Sequence, residues 1–177
     1  MRSRTLPAAL AVAVLGALSA CSSGSGMSAD SRYATDYGNH HPLAVVGYPS
    51  TGSLGIAQQV VWRIADGEAD ALAALAYGKQ DVDGESVKTA DNWIKAFGKG
   101  AAGKVTAEFY DEGSVRQEVV LYFHDTGQIK QVQVVGKGSD GRDDWKVIMA
   151  EPDPVGAAAA PGWAPKTPGG LGSKTVR

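Results

Sequence analysis

Phe123-His124-Asp125-Thr126-Gly127-Gln128-Ile129 joins two runs of alternating side chains, Val115 to Phe123 and Ile129 to Val135. A turn between such runs makes an antiparallel hairpin, and its register decides which face is buried. A two-residue Thr126-Gly127 loop pairs Asp125 with Gln128. It sets Phe123 against Lys130, Leu121 against Val132 and Val119 against Val134. That gathers the large apolar side chains on one face, with Lys130 among them. Glu118, Val120, Tyr122 and His124 then take the opposite face, which reads as solvated. Slipping the register by one residue would mix the two sets.

Two more strands flank the hairpin. Val105, Ala107 and Phe109 alternate with Thr106, Glu108 and Tyr110, and Trp145 to Met149 closes the run. The first face of the hairpin, joined by Val105, Ala107, Phe109, Trp145, Val147 and Met149, is the expected core. Before Lys104 the period is helical. Ala57, Val60, Val61 and Ile64 share one helix face, ended by Asp66-Gly67. Ala71 to Ala76 reads as a short second helix with Asp70 at its N-cap. Val87, Ala90, Ile94 and Phe97 mark a third, with Ser86 as N-cap and Gly98-Lys99-Gly100 as its stop. Trp62 falls off the apolar face of the first helix and is expected to pack under Leu43-Ala44-Val45-Val46, an edge strand or arm. Met27 to His41 reads as polar and mobile. The expected fold class is α+β, with three N-terminal helices packed on one face of a curved four-stranded antiparallel sheet.

Ile64-Ala65-Asp66-Gly67-Glu68-Ala69-Asp70-Ala71-Leu72 resembles the helix-turn-helix opening of nuclear-transport-factor-two-like domains, and Asp144-Trp145-Lys146-Val147 is similar to their last strand. The resemblance covers about residues 53 to 150. It implies a cystatin-like α+β roll with a pocket between sheet and helices. The family's members include isomerases, dehydratases, carriers and assembly modules, so the fold alone selects no activity.

The N-terminus carries a different message. Met1-Arg2-Ser3-Arg4-Thr5 is positive, Leu6 to Ala17 is apolar, and Leu18-Ser19-Ala20-Cys21 follows. This order resembles the signal peptide and lipobox of bacterial lipoproteins. The resemblance implies cleavage before Cys21 and attachment of membrane lipid to its thiol, with acyl chains of the palmitate kind. Two or more such chains anchor a protein stably. The apolar run is too short for a spanning helix. The expected location is the extracytoplasmic side of the cell membrane, in the cell envelope.

The organisation expected from these signals is a signal peptide over 1–20, a flexible tether and arm over 21–52, a roll domain over 53–150, and a disordered Pro/Ala/Gly-rich tail over 151–177. The tail holds five of the eight prolines. Cys21 is the only cysteine, so no internal disulfide forms and the core must rest on apolar burial. The formal charge of the 177-residue chain is −2, and loss of Arg2 and Arg4 with the signal takes it to −4. An acidic balance argues against a nucleic-acid partner.

Candidate chemistry is sparse. A carboxylate base and a phenol donor, the set an isomerase needs, draw on Glu118, Asp125, Tyr110 and Tyr122. The register turns Glu118 and Tyr122 outward, Tyr110 alternates away from Phe109, and Asp125 sits in a turn. His124 beside Asp125 reads as a surface pair. Adjacent His40 and His41 diverge, with no third ligand at diagnostic spacing. Asp140, Asp143 and Asp144 lack the spacing of a calcium loop. Gly47 to Ser53 lacks the lysine of a phosphate-binding loop. The sequence therefore favours a binding or interaction module over an enzyme, with no catalytic residue, cofactor or metal assigned and Cys21 as the one named site. Its partner is expected to be an envelope protein or a small apolar ligand. A homodimer through Val120, Tyr122 and Ile129 is a further reading.

Overall fold

The computed structural model of the chain describes residues 29–78, 84–111, 113, 115–137, 144–171 and 173. Cys21 and Asp140 and Asp143 of the loop lie outside these residues. Five helices and five strands follow the order α1 (Ala29–Asn39), β1 (Ala44–Gly47), α2 (Thr51–Asp66), α3 (Ala69–Ala73), α4 (Glu85–Ala101), β2 (Val105–Asp111), β3 (Arg116–Phe123), β4 (Gln128–Gly136), β5 (Trp145–Val147) and α5 (Pro154–Ala158). The strands form one sheet in the order β1-β2-β3-β4-β5.

The fold class is α+β, and the sheet differs from expectation in one strand. Of the run Leu43–Val46, residues 44–46 enter an edge strand, β1, which runs parallel to β2, pairing Ala44 with Thr106 and Gly47 with Phe109. Parallel neighbours need a crossover connection, and α2, α3 and α4 supply it. The other pairings are antiparallel. The far edge at β5 is covered by the chain after α3: Tyr77 N–H donates to Val147 O at 2.7 Å, and Val147 N–H to Leu75 O at 3.0 Å. A paired edge cannot recruit another strand.

The central hairpin is slipped by two residues from the expected register. Phe123 pairs with Gln128, Leu121 with Lys130 and Val119 with Val132. The loop is His124–Gly127, closed by Gly127 N–H to Phe123 O at 2.8 Å, with Gly127 at φ 69. That left-handed residue suits glycine, and it lets a four-residue loop replace the two-residue one. A slip of two preserves side-chain parity, so both faces keep their expected members. Val105, Ala107, Phe109, Val119, Leu121, Phe123, Val132, Val134, Val147 and Met149 all enter the main core, and Trp145 packs against it.

Helices α2 and α4 close that core from above. Ile56, Ala57, Val60, Val61 and Ile64 of α2 meet Ala90, Trp93 and Phe97 of α4, and Phe97 stacks on Phe123 at 5.2 Å. Ser50 caps α2, accepting from Ser53 N–H at 3.0 Å, and Gly67 at φ 73 ends it. Two caps fall elsewhere than expected. Glu68 holds the N-cap position of α3 and Asp70 lies in its first turn; Gly84 precedes α4, and Ser86 lies inside it. Helix α4 also runs through Gly98 and Gly100 to Ala101. Gly100 serves packing: a Cβ there would stand 2.7 Å from Phe123 Cβ, so only glycine lets α4 lie this close to β3.

Residues 29–39, read as mobile, form α1. Its Tyr33 and Tyr37 lie one helical turn apart and pack on Trp62, whose ring His40 stacks against at 5.5 Å. Trp62 Nε1 donates to His41 O at 3.3 Å. Trp62 thus packs under α1 and the turn before β1.

The largest departure is the C-terminal segment, read as a disordered tail. Glu151 N–H donates to Thr89 Oγ1 at 3.0 Å, and Asn92 Nδ2 donates to Pro152 O at 3.0 Å. Asp153 then caps α5 through Gly156 N–H at 2.8 Å, and Ala157 is fully buried in the core. The segment rounds the β4 edge and continues on the other side of the sheet. There Trp163 Nε1 donates to Gln131 Oε1 at 3.0 Å and its ring meets Tyr110 edge-on at 5.1 Å. The outer face is therefore covered rather than solvated. Tyr110, Val120 and Tyr122 form a second buried cluster with Ile129 and Ala164. Polar anchors on α4 and small residues hold this segment, which an apolar-pattern reading does not register.

Candidate functional site

Where the C-terminal segment leaves α4 and rounds β4, a groove of about 340 Å³ opens. Its lining mixes apolar Val132, Ile148 and Pro161 with polar Gln131 and Gln133, and includes Trp93, Lys130 and Glu151. Its size falls at the lower end of small-molecule sites, which typically combine apolar walls with a few aimed polar groups.

Lys130, Trp93 and Glu151 form one linked unit. Lys130 projects from the apolar face of β4 and its side chain is 2 % exposed. Its ammonium donates to Glu151 Oε2 and lies 5.0 Å from the centre of the Trp93 ring. Trp93 Nε1 donates to the same oxygen at 2.7 Å. Burial pulls the Lys130 pKa below its ordinary value, and the Glu151 hydrogen bond and charge work against that shift. Among the described residues no donor reaches Glu151 Oε1, and this side chain is 35 % exposed. The groove lining thus includes one carboxylate whose charge Lys130 balances.

A second constellation lies on the opposite sheet face. Glu108 is fully buried. Tyr122 Oη donates to Glu108 Oε2 at 2.9 Å, and Ser173 Oγ donates to Oε1. Tyr110 Oη is buried beside them, next to Glu108, Tyr122 and Ser173. Burial pushes the Tyr110 phenol up to about 12; the Ser173 hydroxyl opposes this and the Glu108 charge adds to it. Burial first, and the Glu108 hydrogen bond and charge second, raise Tyr122 further. Both phenols therefore stay protonated and able to donate.

The third is ionic. Arg63, its side chain 4 % exposed, bonds Asp36 of α1, Asp66 at 3.3 Å and Glu68 at 3.1 Å. Arg32 of α1 reaches Glu68 at 2.8 Å, and His40 Nε2 reaches Asp66 at 2.9 Å. These bonds latch α1 to the end of α2. A cavity lined by Arg32, Glu68 and Asp70 lies beside the latch.

The residues singled out from the sequence scatter. Glu118 lies opposite Tyr110 across β2 and β3 and accepts from Gln131 Nε2. His124 and Asp125 are both exposed: His124 Nε2 meets Thr106 Oγ1 at 2.7 Å, and Asp125 lies against Gly103. They form no dyad. His40 is held by α1 and Asp66 while His41 is exposed. Among the described residues no three His, Cys, Asp or Glu side chains gather as a metal site. Tyr110 and Tyr122 do come together, with Glu108 as the carboxylate. The sequence reading assigns no site role to Glu108, Lys130 or Glu151. Lys130 carried a signal, being the one charge on the apolar hairpin face. Glu151 carried none, since a contact 21 residues away leaves no local pattern.

Comparison of the chain with protein-family models, with curated proteins and with solved structures gives no match in any of the three. Among the described residues no helix is long and apolar enough to cross a membrane.

Proposed function

We propose that this chain is a lipid-anchored, extracytoplasmic binding module, held to the membrane through Cys21 and taking a small, mostly apolar ligand in the groove beside β4. The observation that carries the binding reading is the Glu151 carboxylate. One oxygen accepts from Lys130 and Trp93, no donor among the described residues reaches the other, and the residue lines a groove of mixed polar and apolar character. Because Lys130 balances its charge, a neutral donor such as a hydroxyl or amide N–H suits this oxygen without a second cation. The export and anchoring parts rest on the resemblance of residues 1–21 to lipoprotein signals.

The rival reading, an isomerase or dehydratase with a pocket carboxylate, draws on Glu108 with Tyr110 and Tyr122. A working base must touch its substrate. Glu108 lines neither of the two cavities described above, and the C-terminal segment lies over it. The homodimer reading needs Val120 and Tyr122 on a bare face, and both are buried within the single chain.

Native mass spectrometry of the acylated protein, gently extracted from its own membranes, tests the proposal. A small-molecule adduct is expected on the wild type and is expected to be lost from Ala160→Trp, which fills the groove. A bare mass for the wild type, or an adduct that persists in Ala160→Trp, overturns the groove as the site.

A further inference from the structure

Strand β5 covers the edge of β4 only from Val134 to Gly136. Ile148 N–H adds one last bond, to Gln133 O at 2.9 Å. The chain then leaves the sheet, and Glu151 N–H bonds Thr89 Oγ1 on α4 instead. In an antiparallel strand, alternate residues direct both main-chain groups to the same neighbour. Gln133 O points to the β5 side, so the main chain of Gln131, two residues earlier, points to that side as well. Gly136, of the other parity, donates its N–H toward β3, to Val115 O at 2.8 Å. Among the described residues, no hydrogen bond to the Gln131 N–H or C=O is made on the β5 side. The side chain of Gln131 is separately engaged: Oε1 accepts from Trp163, and Nε2 donates to Glu118.

An unpaired strand edge is a template for another strand. Here the edge faces the groove, because the C-terminal segment rounds β4 without pairing with it. Gln131 and Glu151 both line the groove, together with the small residues Gly156, Ala159 and Ala160. The groove therefore offers a main-chain donor and a main-chain acceptor from one residue, and a carboxylate oxygen in Glu151 Oε1. A lone hydroxyl meets only part of this set. An extended peptide carries an N–H and a C=O on the same side of one residue, which is the pattern that Gln131 complements.

We propose, resting on the groove as the ligand site, that its ligand is a short extended peptide with small side chains, which adds to β4 as a strand in line with β5. One residue of the peptide exchanges main-chain bonds with the Gln131 N–H and C=O. A neighbouring peptide N–H is then left for Glu151 Oε1. The bound stretch is uncharged, because Lys130 already balances Glu151. Its side chains are small, because a groove of about 340 Å³ holds few residues and no bulky ones.

The test is an NMR titration of the full mature chain in detergent with N-acetyl-trialanine N-methylamide, taken into the millimolar range. The control is the trilactate of the same length, in which each N–H is replaced by an ester oxygen. With the peptide, the Gln131 amide proton is expected to move downfield, and its solvent exchange to slow about tenfold or more at saturation. The trilactate should bind about tenfold or more weakly, since it leaves the Gln131 C=O and Glu151 Oε1 without donors. Ala160→Trp should abolish the response to both. No peptide binding, binding with a silent Gln131 amide, equal affinity for the trilactate, or a Gln131 response that survives Ala160→Trp overturns the proposal. The groove itself is judged apart from this, by the native adduct and its loss in Ala160→Trp. If that adduct behaves as expected while the Gln131 amide stays silent, the peptide is excluded and the groove stands.

Discussion

The Lys130 ammonium lies 5.0 Å from the centre of the Trp93 ring, and the two side chains donate to one and the same oxygen of Glu151. A cation on the apolar face of the central hairpin is thereby neutralised by a residue from the far end of the chain. The same contact pins the C-terminal segment to α4 and lines the groove.

Removing the acid should therefore harm the fold more than removing both partners. Glu151→Ala leaves a buried ammonium uncompensated and is expected to cost about 3 kcal/mol, whereas Lys130→Met with Glu151→Ala is expected to cost less. Urea unfolding of the two variants and the wild type decides this. A double variant no more stable than Glu151→Ala would show that the pair is not the source of the cost.

Lys130 also makes stability depend on pH. Its folded pKa lies below the ordinary 10.5, so between the two values the unfolded chain binds more protons. Stability contributed by this group is expected to rise with pH across that window. The Lys130→Met variant should show a flatter profile in thermal melts from neutral to alkaline pH.

His40 acts in the opposite sense. Burial lowers its pKa, but the Asp66 hydrogen bond, the Asp36 carbonyl and the charges of both acids outweigh burial, and the net shift is upward. Its contribution is fully present below the unfolded value of about 6.5 and is lost as pH rises through the higher folded value. Amide exchange in α1 should quicken across that interval relative to exchange in α4. Equal pH dependence in both helices would remove His40 from the latch.

Gly52 is a packing position. A Cβ at this site would stand 2.1 Å from Trp145 Cδ1, so Gly52→Ala must displace the indole that also lies against Gly136. The expected loss is about 1–3 kcal/mol by denaturant unfolding. Trp145→Leu should relieve much of the penalty in the double variant.

Anchoring has its own test. Cys21→Ala should abolish lipidation and leave an uncleaved or soluble precursor. Processed protein that still fractionates with membranes in this variant would refute the lipoprotein assignment.

The sequence by itself determined which residues face the main core. Val105, Ala107 and Phe109, and Val119, Leu121 and Phe123, alternate with polar neighbours, and that parity survives even the two-residue slip of the hairpin. It likewise determined α2 and α4, whose apolar side chains recur at helical spacing. The order of residues 1–21 is also a purely local signal, and on it the expectation of a lipid anchor rests.

Only the tertiary structure decided the fate of the outer face and the composition of both candidate sites. Glu108 looked like any solvated strand residue until Trp163, Ala164 and Ser173 came to lie over that face. Helix α1 shows no aliphatic stripe, because tyrosines, a histidine and charged side chains make its contacts with Trp62 and Arg63. Glu151 gains its role from Lys130, Trp93 and Thr89, all at least 21 positions away. Periodicity records what a residue's own helix or strand buries. Contacts made by small or polar side chains across long separations leave no period, and the groove and the covered acid are both built from such contacts.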